Sequence, residues 1–295
     1  MQFTLRQIEL FAAVCECGSI SLAAERNHTA QSAVSTAIRN LEAALGVTLL
    51  VRNHAVGVDP TPEGRALLDE AGRLLAAAHD LESHASTLTD RVVGTVHVGF
   101  LVTFAPLLMP GAIRSFADQY PGARIEALEG DHDELLTWLR DGTISIAVTY
   151  DLGVSPGISF QSIRPAPPGV LISAEHRLAT ANSLTPADLV DESLVLIDLP
   201  WSADYFLGIF ARAGVEPRIA FRSRSMEVVR SLVGQGLGYT IINVRPKSTE
   251  TLDGRELVCL PLMSDTPDLH LGLATHEAKR RSAAVRAANQ HLAGL

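Results

Sequence analysis

The chain has 295 residues, of which 47% are hydrophobic, and a formal net charge of −9 at pH 7. That length suggests two domains, and the apolar share is large enough to bury a sizeable core without disulfides or metal ions. The acidic balance excludes binding to nucleic acid by overall charge alone. Because the longest apolar run contains Pro106 and Pro110, and no basic segment precedes an apolar one at the N-terminus, we expect neither a membrane span nor a secretion signal.

Two short helices joined by a tight turn are predicted near the N-terminus. The first covers residues 21–27, with Ser19 or Ser21 available as its N-cap. The second covers residues 30–45 and ends at Gly46, a residue that tolerates the left-handed conformation of a helix end. Its apolar residues recur at helical spacing and predict an inner face, formed by Val34, Ile38, Leu41 and Leu45.

The outward face at the start of this second helix is polar. Amide and hydroxyl groups there can read base edges in a DNA major groove, and an arginine can reach guanine or phosphate. A helical hairpin with a solvated polar face is the alternative explanation of the same pattern. The candidate DNA contacts on this face are Gln31, Ser32, Ser35, Thr36 and Arg39.

Two short strands around a turn are predicted over residues 48–61, which makes the N-terminal part a winged helix-turn-helix. Arg52, Asn53 and His54 lie at the turn and are further candidate DNA contacts. The first 60 residues contain four Arg against four Glu and one Asp, a net charge of 4 − 5 = −1. So few cations predict weak non-specific binding and reliance on several subunits acting together.

A long helix is predicted after Pro62, because residues 62–88 are rich in good helix formers. An isolated helix cannot hide a broad apolar stripe from water, so this one either packs on its own domain or pairs with a second chain. The stripe consists of Leu67, Leu68, Ala71, Leu74, Leu75, Ala78 and Leu81.

The pattern changes to alternating strands and helices after Arg91, which predicts an α/β domain with largely parallel sheets. Segments near residues 163–169 and 267–271 are predicted to cross between two lobes. Strands are predicted over residues 94–99, 124–128, 144–149, 169–173, 194–197, 218–221, 239–242 and 270–275, and helices over residues 106–120, 134–140, 205–213, 226–233 and 281–292.

A set of residues in the first 64 positions forms a combined pattern that is more specific than any single motif: Phe11, Gly18-Ser19, Ala23-Ala24, Gln31, Ser35, Ile38, Leu41-Glu42, Leu45-Gly46, Leu49, Arg52, Thr61 and Gly64. In these residues the chain resembles the LysR-type transcriptional regulators, and the resemblance extends over the whole chain. Residues that depart from the usual family pattern are Asn27, Ala30, Ser32 and Leu50, which bear on base preference and fine packing.

The resemblance implies three parts: a winged helix-turn-helix over residues 1–60, a linker and dimerisation helix over residues 61–90, and an effector-binding domain over residues 91–295. That last domain is expected to have a periplasmic-binding-protein-like fold, with lobe I over about 91–162 and 269–295 and lobe II over about 163–268. Such a protein would be a cytoplasmic homodimer or homotetramer that binds promoter DNA at an inverted repeat and responds to a small organic effector, anionic or aromatic.

The predicted effector site lies where helices begin, since unpaired N–H groups there suit a carboxylate or another polar oxygen. Thr103, Ser202 and Ser225 stand at three such helix starts, in segments that match the family's effector-contacting loops. For each hydroxyl a plain N-cap is the alternative, and for Trp201 and Met226 it is packing. The pocket is expected to be shaped by Tyr150, Trp201, Met226 and Asn243.

An enzyme is the rival class, but no catalytic set is marked by the sequence. The glycines at 234, 236 and 238 lack the G-x-G-x-x-G spacing and follow a predicted helix, so a helix end explains them better than a nucleotide loop. The ten His are scattered, and we expect neither a metal site nor a cofactor. A DNA-binding protein without an effector is the second rival, although it would leave two α/β lobes without a role.

The three cysteines, Cys15, Cys17 and Cys259, are an odd number. Cys15 and Cys17 would lie on different sides of one helix, a placement unsuited to a disulfide. We therefore expect free thiols, with a redox switch as the alternative.

Overall fold

A computed structural model gives the fold and describes residues 2–53, 57–87, 92–277 and 282–295. The chain divides into two compact units, Met1–Thr89 with Asp141–Thr143, and Asp90–Arg140 with Ile144–Leu295. The first unit contains the helices α1 (Leu5–Cys17), α2 (Ile20–Arg26), α3 (Gln31–Leu45) and α4 (Pro62–Thr87), and the strands β1 (Leu50–Asn53) and β2 (Gly57–Pro60).

The predicted helix-turn-helix and wing are confirmed to within one or two residues. Gly18 ends α1 at φ 60°, and the Ser19 hydroxyl accepts a hydrogen bond from the Leu22 N–H at 3.4 Å, so Ser19 caps α2. Gly46 ends α3 at φ 71°. Strands β1 and β2 pair antiparallel and form the wing.

The core of the first unit lies among α1, α2 and α3 and the base of the wing. The predicted inner face of α3 is confirmed, because Val34, Ile38 and Leu41 are all buried there. Leu45 is half-buried and packs against the same cluster. The other large contributors are Phe11, Val14 and Leu49, whose side chains have no exposed surface.

The apolar stripe of α4 divides into two parts. One part packs within the unit, where Ala71 is buried and Leu67, Leu68 and Leu75 lie against the core. The other part is exposed: Leu74 at 38% and Leu81, near the end of the helix, at 73%. Intramolecular packing, the alternative left open by the sequence, therefore applies to the first of these parts. Pairing with a second chain stays a prediction for the rest.

No single helix among the described residues has the length and apolarity to cross a membrane. Helices α1 and α2 together pass that test by length and composition, but they are bent by 120°.

The second unit has two lobes. Its strands are β3 (Gly94–Leu101), β4 (Ala123–Gly130), β5 (Ile146–Tyr150), β6 (Ile158–Ala166), β7 (Gly169–Ser173), β8 (Ser193–Ile197), β9 (Arg218–Ser223), β10 (Thr240–Ile242), β11 (Leu257–Pro261) and β12 (Leu269–His276). Its helices are α5 (Ala105–Gln119), α6 (His132–Asp141), a 3-10 turn (Pro186–Leu189), α7 (Ser202–Arg212), α8 (Met226–Gly234) and α9 (Ala283–Leu292).

Lobe I is built on a five-stranded sheet in the order β4-β3-β5-β12-β6. Strands β3, β4 and β5 are parallel, whereas β12 runs antiparallel to both β5 and β6. Strand β6 belongs to this sheet as far as Ala166, which pairs with Leu269. The chain leaves lobe I after β6 and returns to it at β12.

Lobe II contains a parallel pair, β8 with β9, and a three-stranded sheet in the order β10-β7-β11. Both neighbours of β7 run antiparallel to it. The prediction of largely parallel sheets is therefore wrong for this sheet and for the pairs that β12 forms with β5 and β6. The reason is that the chain passes between the lobes twice, and strands beside such crossings run in opposite directions. Strand β11 was not predicted.

Candidate functional site

The polar residues predicted to contact DNA share one outward face of α3. Gln31, Ser32, Thr36 and Arg39 are exposed, and Ser35 is half-exposed. Because Val34, Ile38 and Leu41 are buried on the opposite side, this helix cannot rotate without exposing its apolar face. The polar face also borders a shallow surface depression lined by Gln7, Ser32, Ala33, Thr36, Ala37 and Asn40.

Arg39 is the cation on this face. Its guanidinium lies along its own helix, with Nε donating to the Ser35 carbonyl and Nη2 donating to the Thr36 hydroxyl, each at 3.4 Å. Arg6 and Arg26 form ion pairs with Glu9 and Glu16, at 2.8 and 2.7 Å. Of the arginine side chains described in the first 60 residues, Arg39 is thus the one without a carboxylate partner there.

The predicted contacts in the wing are only partly placed. Arg52 lies in β1 opposite Val58, and Asn53 lies opposite Gly57 at the end of the hairpin. His54 lies outside the described residues. Contact of these three side chains with DNA therefore stays a prediction.

Glu42 ties α3 to the wing, a role that the sequence analysis did not assign. Its Oε1 accepts hydrogen bonds from the backbone N–H groups of Leu49 at 2.8 Å and Leu50 at 3.3 Å. Thr61 fastens the other end of the hairpin, because its hydroxyl donates to the Thr48 carbonyl at 2.8 Å and accepts from the Gly64 N–H at 2.9 Å. These bonds set the position of the wing relative to the helix that carries the polar face.

A cavity of about 410 Å³ lies between the two lobes of the second unit. A volume of this size accommodates a small organic molecule. Most of its walls are apolar, and four charged side chains, those of Glu129, Arg224, Glu227 and Arg230, complete them. The remaining lining residues are Val102, Thr103, Pro106, Leu107, Leu171, Ser225, Met226, Ile242, Val244 and Pro246.

A second, much smaller cavity of about 20 Å³ adjoins the first. The two share Thr103, Met226, Ile242 and Val244 as lining residues. The small cavity is more polar, because the side chains of Tyr150, Ser202, Tyr205 and Asn243 reach it, and its volume corresponds to about one water molecule.

Six of the seven predicted effector residues line these two cavities: Thr103, Tyr150, Ser202, Ser225, Met226 and Asn243. The Ser225 hydroxyl also caps α8 by accepting from the Val228 N–H at 3.4 Å, so the plain N-cap alternative applies to it. Ser202 is instead the first residue of α7, and Trp201 occupies the N-cap position without a side-chain capping bond.

Trp201 is the predicted residue that lines neither cavity. Its indole N–H donates to Oδ1 of Asp133 at 2.6 Å. Its ring lies 5.8 Å from that of His132, centroid to centroid, and a Cβ built on Gly153 would lie only 2.7 Å from it. The backbone of Trp201 has φ 66°, a conformation that side-chain-bearing residues rarely adopt. Packing, the alternative left open by the sequence, describes Trp201 better than ligand contact.

Tyr150 and Asn243 offer polar groups inside the small cavity. Burial raises the pKa of Tyr150, so its hydroxyl stays a neutral hydrogen-bond donor. The Asn243 amide donates to the Ala166 carbonyl at 2.7 Å and thus links lobe II to the last residue of β6. Its Oδ1 is buried and has no partner among the described residues, so it can accept a hydrogen bond from a molecule in the cavity.

The sequence analysis missed the two arginines of the large cavity. Arg230 is only 5% exposed; its Nη2 donates to the carbonyls of Ser248 and Glu250 at 3.2 and 2.7 Å. Its Nε is buried without a hydrogen-bond partner among the described residues, and the Glu227 carboxylate stands 3.8 Å away. Arg224 forms an ion pair with Asp131 at 2.9 Å. The available signal was that one arginine precedes and another lies within the helix whose start carries the predicted Ser225 and Met226.

Two family models match the chain. Residues 5–65 match the bacterial regulatory helix-turn-helix protein of the lysR family, and residues 89–294 match the LysR substrate binding domain.

Individual proteins give the same result. The chain is 31% identical over 242 residues to the HTH-type transcriptional regulator TfdS of Cupriavidus pinatubonensis, covering 80% of this chain and 81% of that protein. It is 28% identical over 271 residues to the hydrogen peroxide-inducible genes activator of Escherichia coli, covering 91% and 88%. Among solved structures, HinK, a LysR family transcriptional regulator from Pseudomonas aeruginosa, is 32% identical with a TM-score of 0.65, covering 99% and 97%.

Proposed function

The chain belongs to the LysR family of DNA-binding transcriptional regulators, and we propose that its α3 reads promoter DNA while its cleft binds a small organic anion with an apolar body. In this proposal residues 1–60 bind DNA, residues 61–90 link and dimerise, and residues 91–295 bind the effector. A relative's name does not identify the effector, so the ligand class rests on the cavity itself.

The buried guanidinium of Arg230 is the observation that carries the ligand class. Arginine stays charged at any physiological pH, and burial of a charge is costly unless it is paired. Arg230 donates to two carbonyls but meets no carboxylate within hydrogen-bond distance among the described residues. The side chains of Glu129 and Glu227 are exposed and can stay hydrated. The buried Nε of Arg230 therefore offers a charged hydrogen-bond donor among apolar walls, which favours a carboxylate on an apolar body.

The relative that is named a hydrogen peroxide-inducible genes activator raises thiol oxidation as an alternative signal. A sensor thiol needs a low pKa, because the thiolate is the reactive form. Burial raises the pKa of Cys15 to about 11 and also raises the pKa of Cys259. Both thiols are therefore protonated at neutral pH, which argues against either of these two as the sensor, and we propose ligand binding in the cleft as the signal.

Oligomerisation is part of the proposal. Helix α4 exposes Leu74 and Leu81, apolar side chains that a second copy of the helix would cover. With a net charge of −1 over its first 60 residues, a single copy has little electrostatic attraction for DNA. Two or four linked copies on an inverted repeat would supply the missing affinity by multivalency. We place this homodimer or homotetramer in the cytoplasm, where its promoter DNA is.

Selection of genomic DNA fragments by the purified full-length protein tests the DNA half of the proposal. We expect a small set of promoter-proximal inverted repeats, and we expect Arg39→Ala to lose them. A protein lacking residues 1–60 gives the background. Recovery of the same fragments by that control, or no enrichment by the folded full-length protein, would contradict DNA reading by α3.

Thermal stabilisation by paired probes tests the ligand half. Benzoate and octanoate supply the carboxylate, and benzamide and octanamide supply the same apolar bodies without charge. We expect the acids to raise the unfolding temperature more than their amides do, because ligands that bind the folded state stabilise it. We expect Arg224→Gln to reduce that difference. Equal stabilisation by acid and amide would show an apolar site, and no stabilisation by any of the four would contradict the proposed ligand class.

A further inference from the structure

The start of α6 reaches from lobe I to lobe II at two points. Oδ2 of Asp131, the residue before α6, accepts a hydrogen bond from Nη2 of Arg224 at 2.9 Å. Oδ1 of Asp133 accepts from the indole N–H of Trp201 at 2.6 Å. Arg224 and Trp201 both belong to lobe II. Trp201 immediately precedes α7, and Arg224 lies two residues before α8.

The lobe I side of these contacts is fixed in place. Oδ1 of Asp131 accepts from the Glu134 N–H at 3.1 Å, and the Asp131 N–H donates to the Glu134 carboxylate at 2.8 Å, so this residue caps α6. His132 is 2% exposed, and its two ring nitrogens lie 2.9 Å from the Thr149 hydroxyl and 2.6 Å from the Leu152 carbonyl. The carboxylate of Asp131 therefore stays where it is when its partner leaves.

Arg224 has more freedom. Its side chain is 69% exposed, against 9% for Asp131, and it lines the 410 Å³ cavity. A carboxylate entering the cavity would meet a guanidinium that already holds a carboxylate of the protein. Guanidinium groups bind carboxylates best through two parallel, charge-assisted hydrogen bonds, and a bidentate contact that uses Nη2 of Arg224 competes with the Asp131 bond to that nitrogen.

We propose that Asp131 is an internal competitor of the effector: it holds Arg224 when no effector is bound and yields it when the effector's carboxylate binds. This inference rests on the proposed anionic effector. The exchange removes one of the two polar contacts between α6 and lobe II and leaves the Trp201–Asp133 contact intact. Binding thereby changes how the lobes are fastened to one another, which is what a signal from this cleft requires.

The test uses the full-length protein and the probes benzoate and octanoate. In Asp131→Asn the amide oxygen still caps α6, but the competing charge is gone. We expect this variant to bind both acids roughly three- to tenfold more tightly than the wild type does. In an Arg224→Gln background the same substitution should have no effect, because the competition acts through Arg224.

Two control variants separate competition from general loosening. Asp133→Asn weakens the other contact without touching Arg224, so its affinity for the acids should stay within twofold of wild type. Asp198→Asn removes the carboxylate of the Arg222 pair within lobe II, at 3.1 Å and with side-chain exposures of 48% and 42%, and should be silent.

The possible failures can be told apart. If the wild type binds the acids but Asp131→Asn binds them no more tightly, the internal competitor is wrong and the proposed ligand class stands. The same conclusion follows if Asp131→Asn gains affinity equally in the Arg224→Gln background. If neither the wild type nor Asp131→Asn binds either acid, the anionic effector itself is wrong, and the competitor with it.

Discussion

Glu42→Ala should destabilise the DNA-binding unit and leave the sensor unchanged. The substitution removes one carboxylate oxygen that accepts two backbone N–H groups, at 2.8 and 3.3 Å, in a partly buried position. A hydrogen bond to a charged group contributes about 1.5–3 kcal/mol, and the longer second bond contributes less. We expect a loss of about 2 kcal/mol, which for a unit of this size lowers its unfolding temperature by about 8–16 °C.

Differential scanning calorimetry of the full-length protein can resolve this loss, because the transition of the sensor serves as an internal reference. Glu42→Gln keeps an oxygen acceptor without the charge and should lie between the wild type and Glu42→Ala. Glu25→Ala, at an exposed position of α2, is the matched control and should change stability by less than about 0.5 kcal/mol. If Glu42→Ala is no less stable than Glu25→Ala, the anchoring of the wing by this carboxylate is refuted.

Four other perturbations separate the parts of the molecule. Arg39→Ala should weaken operator binding by about 1–3 kcal/mol in a mobility-shift titration while stabilisation by benzoate is kept; loss of both would indicate misfolding. Thr103→Val should reduce the response to benzoate with operator affinity kept, and a normal response would remove this hydroxyl from the site. Leu81→Glu, at a residue 73% exposed, should shift sedimentation towards smaller species, and an unchanged profile would exclude this part of α4 from the subunit interface. Burial lowers the pKa of His132 from 6.5. The neutral imidazole therefore adds stability above about pH 6.5, and this stability is lost as the pH falls through the folded-state pKa. Below about pH 6.5 the unfolding temperature should fall more steeply in the wild type than in His132→Gln.

The local elements of the DNA-binding unit could be predicted because their signals are local. Apolar residues at helical spacing placed Val34 and Leu41 inside, and Gly46 marked the helix end. Strand direction in the sensor could not be predicted in this way. Alternation of strands and helices suggests parallel pairing, but β7 pairs with β10 and β11, which follow far later in the chain. Such pairing depends on where the chain crosses between lobes, which no local pattern records.

In the cleft, too, local sequence signals predicted some features and missed those that depend on residues distant in the chain. Hydroxyls at helix starts can be found by eye, and Thr103 and Ser202 do line the cavities. The charges could not be assigned, because the environment of Arg230 and Arg224 is set by residues distant in the chain. Arg224 meets Asp131, 93 positions away, and Trp201 meets Asp133, 68 positions away. From the sequence alone Trp201 is a reasonable candidate for ligand contact, because its hydrogen bond to Asp133 in the other lobe cannot be predicted.

Competition between Asp131 and the effector would explain how the cleft can respond selectively to carboxylates without binding them tightly. A ligand shifts an equilibrium only by the difference between its affinities for the two states, and not by its affinity for either one. Apolar contacts in the 410 Å³ cavity favour binding in any state, whereas the carboxylate's contact with Arg224 forms only when the Asp131 pair opens. Loss of the Arg224–Asp131 ion pair therefore offsets part of the free energy of binding. The free energy that the effector gains from Arg224 is available only in the state in which this contact between the lobes is open. A neutral analogue would fill the cavity, leave Arg224 on Asp131, and bind without signalling.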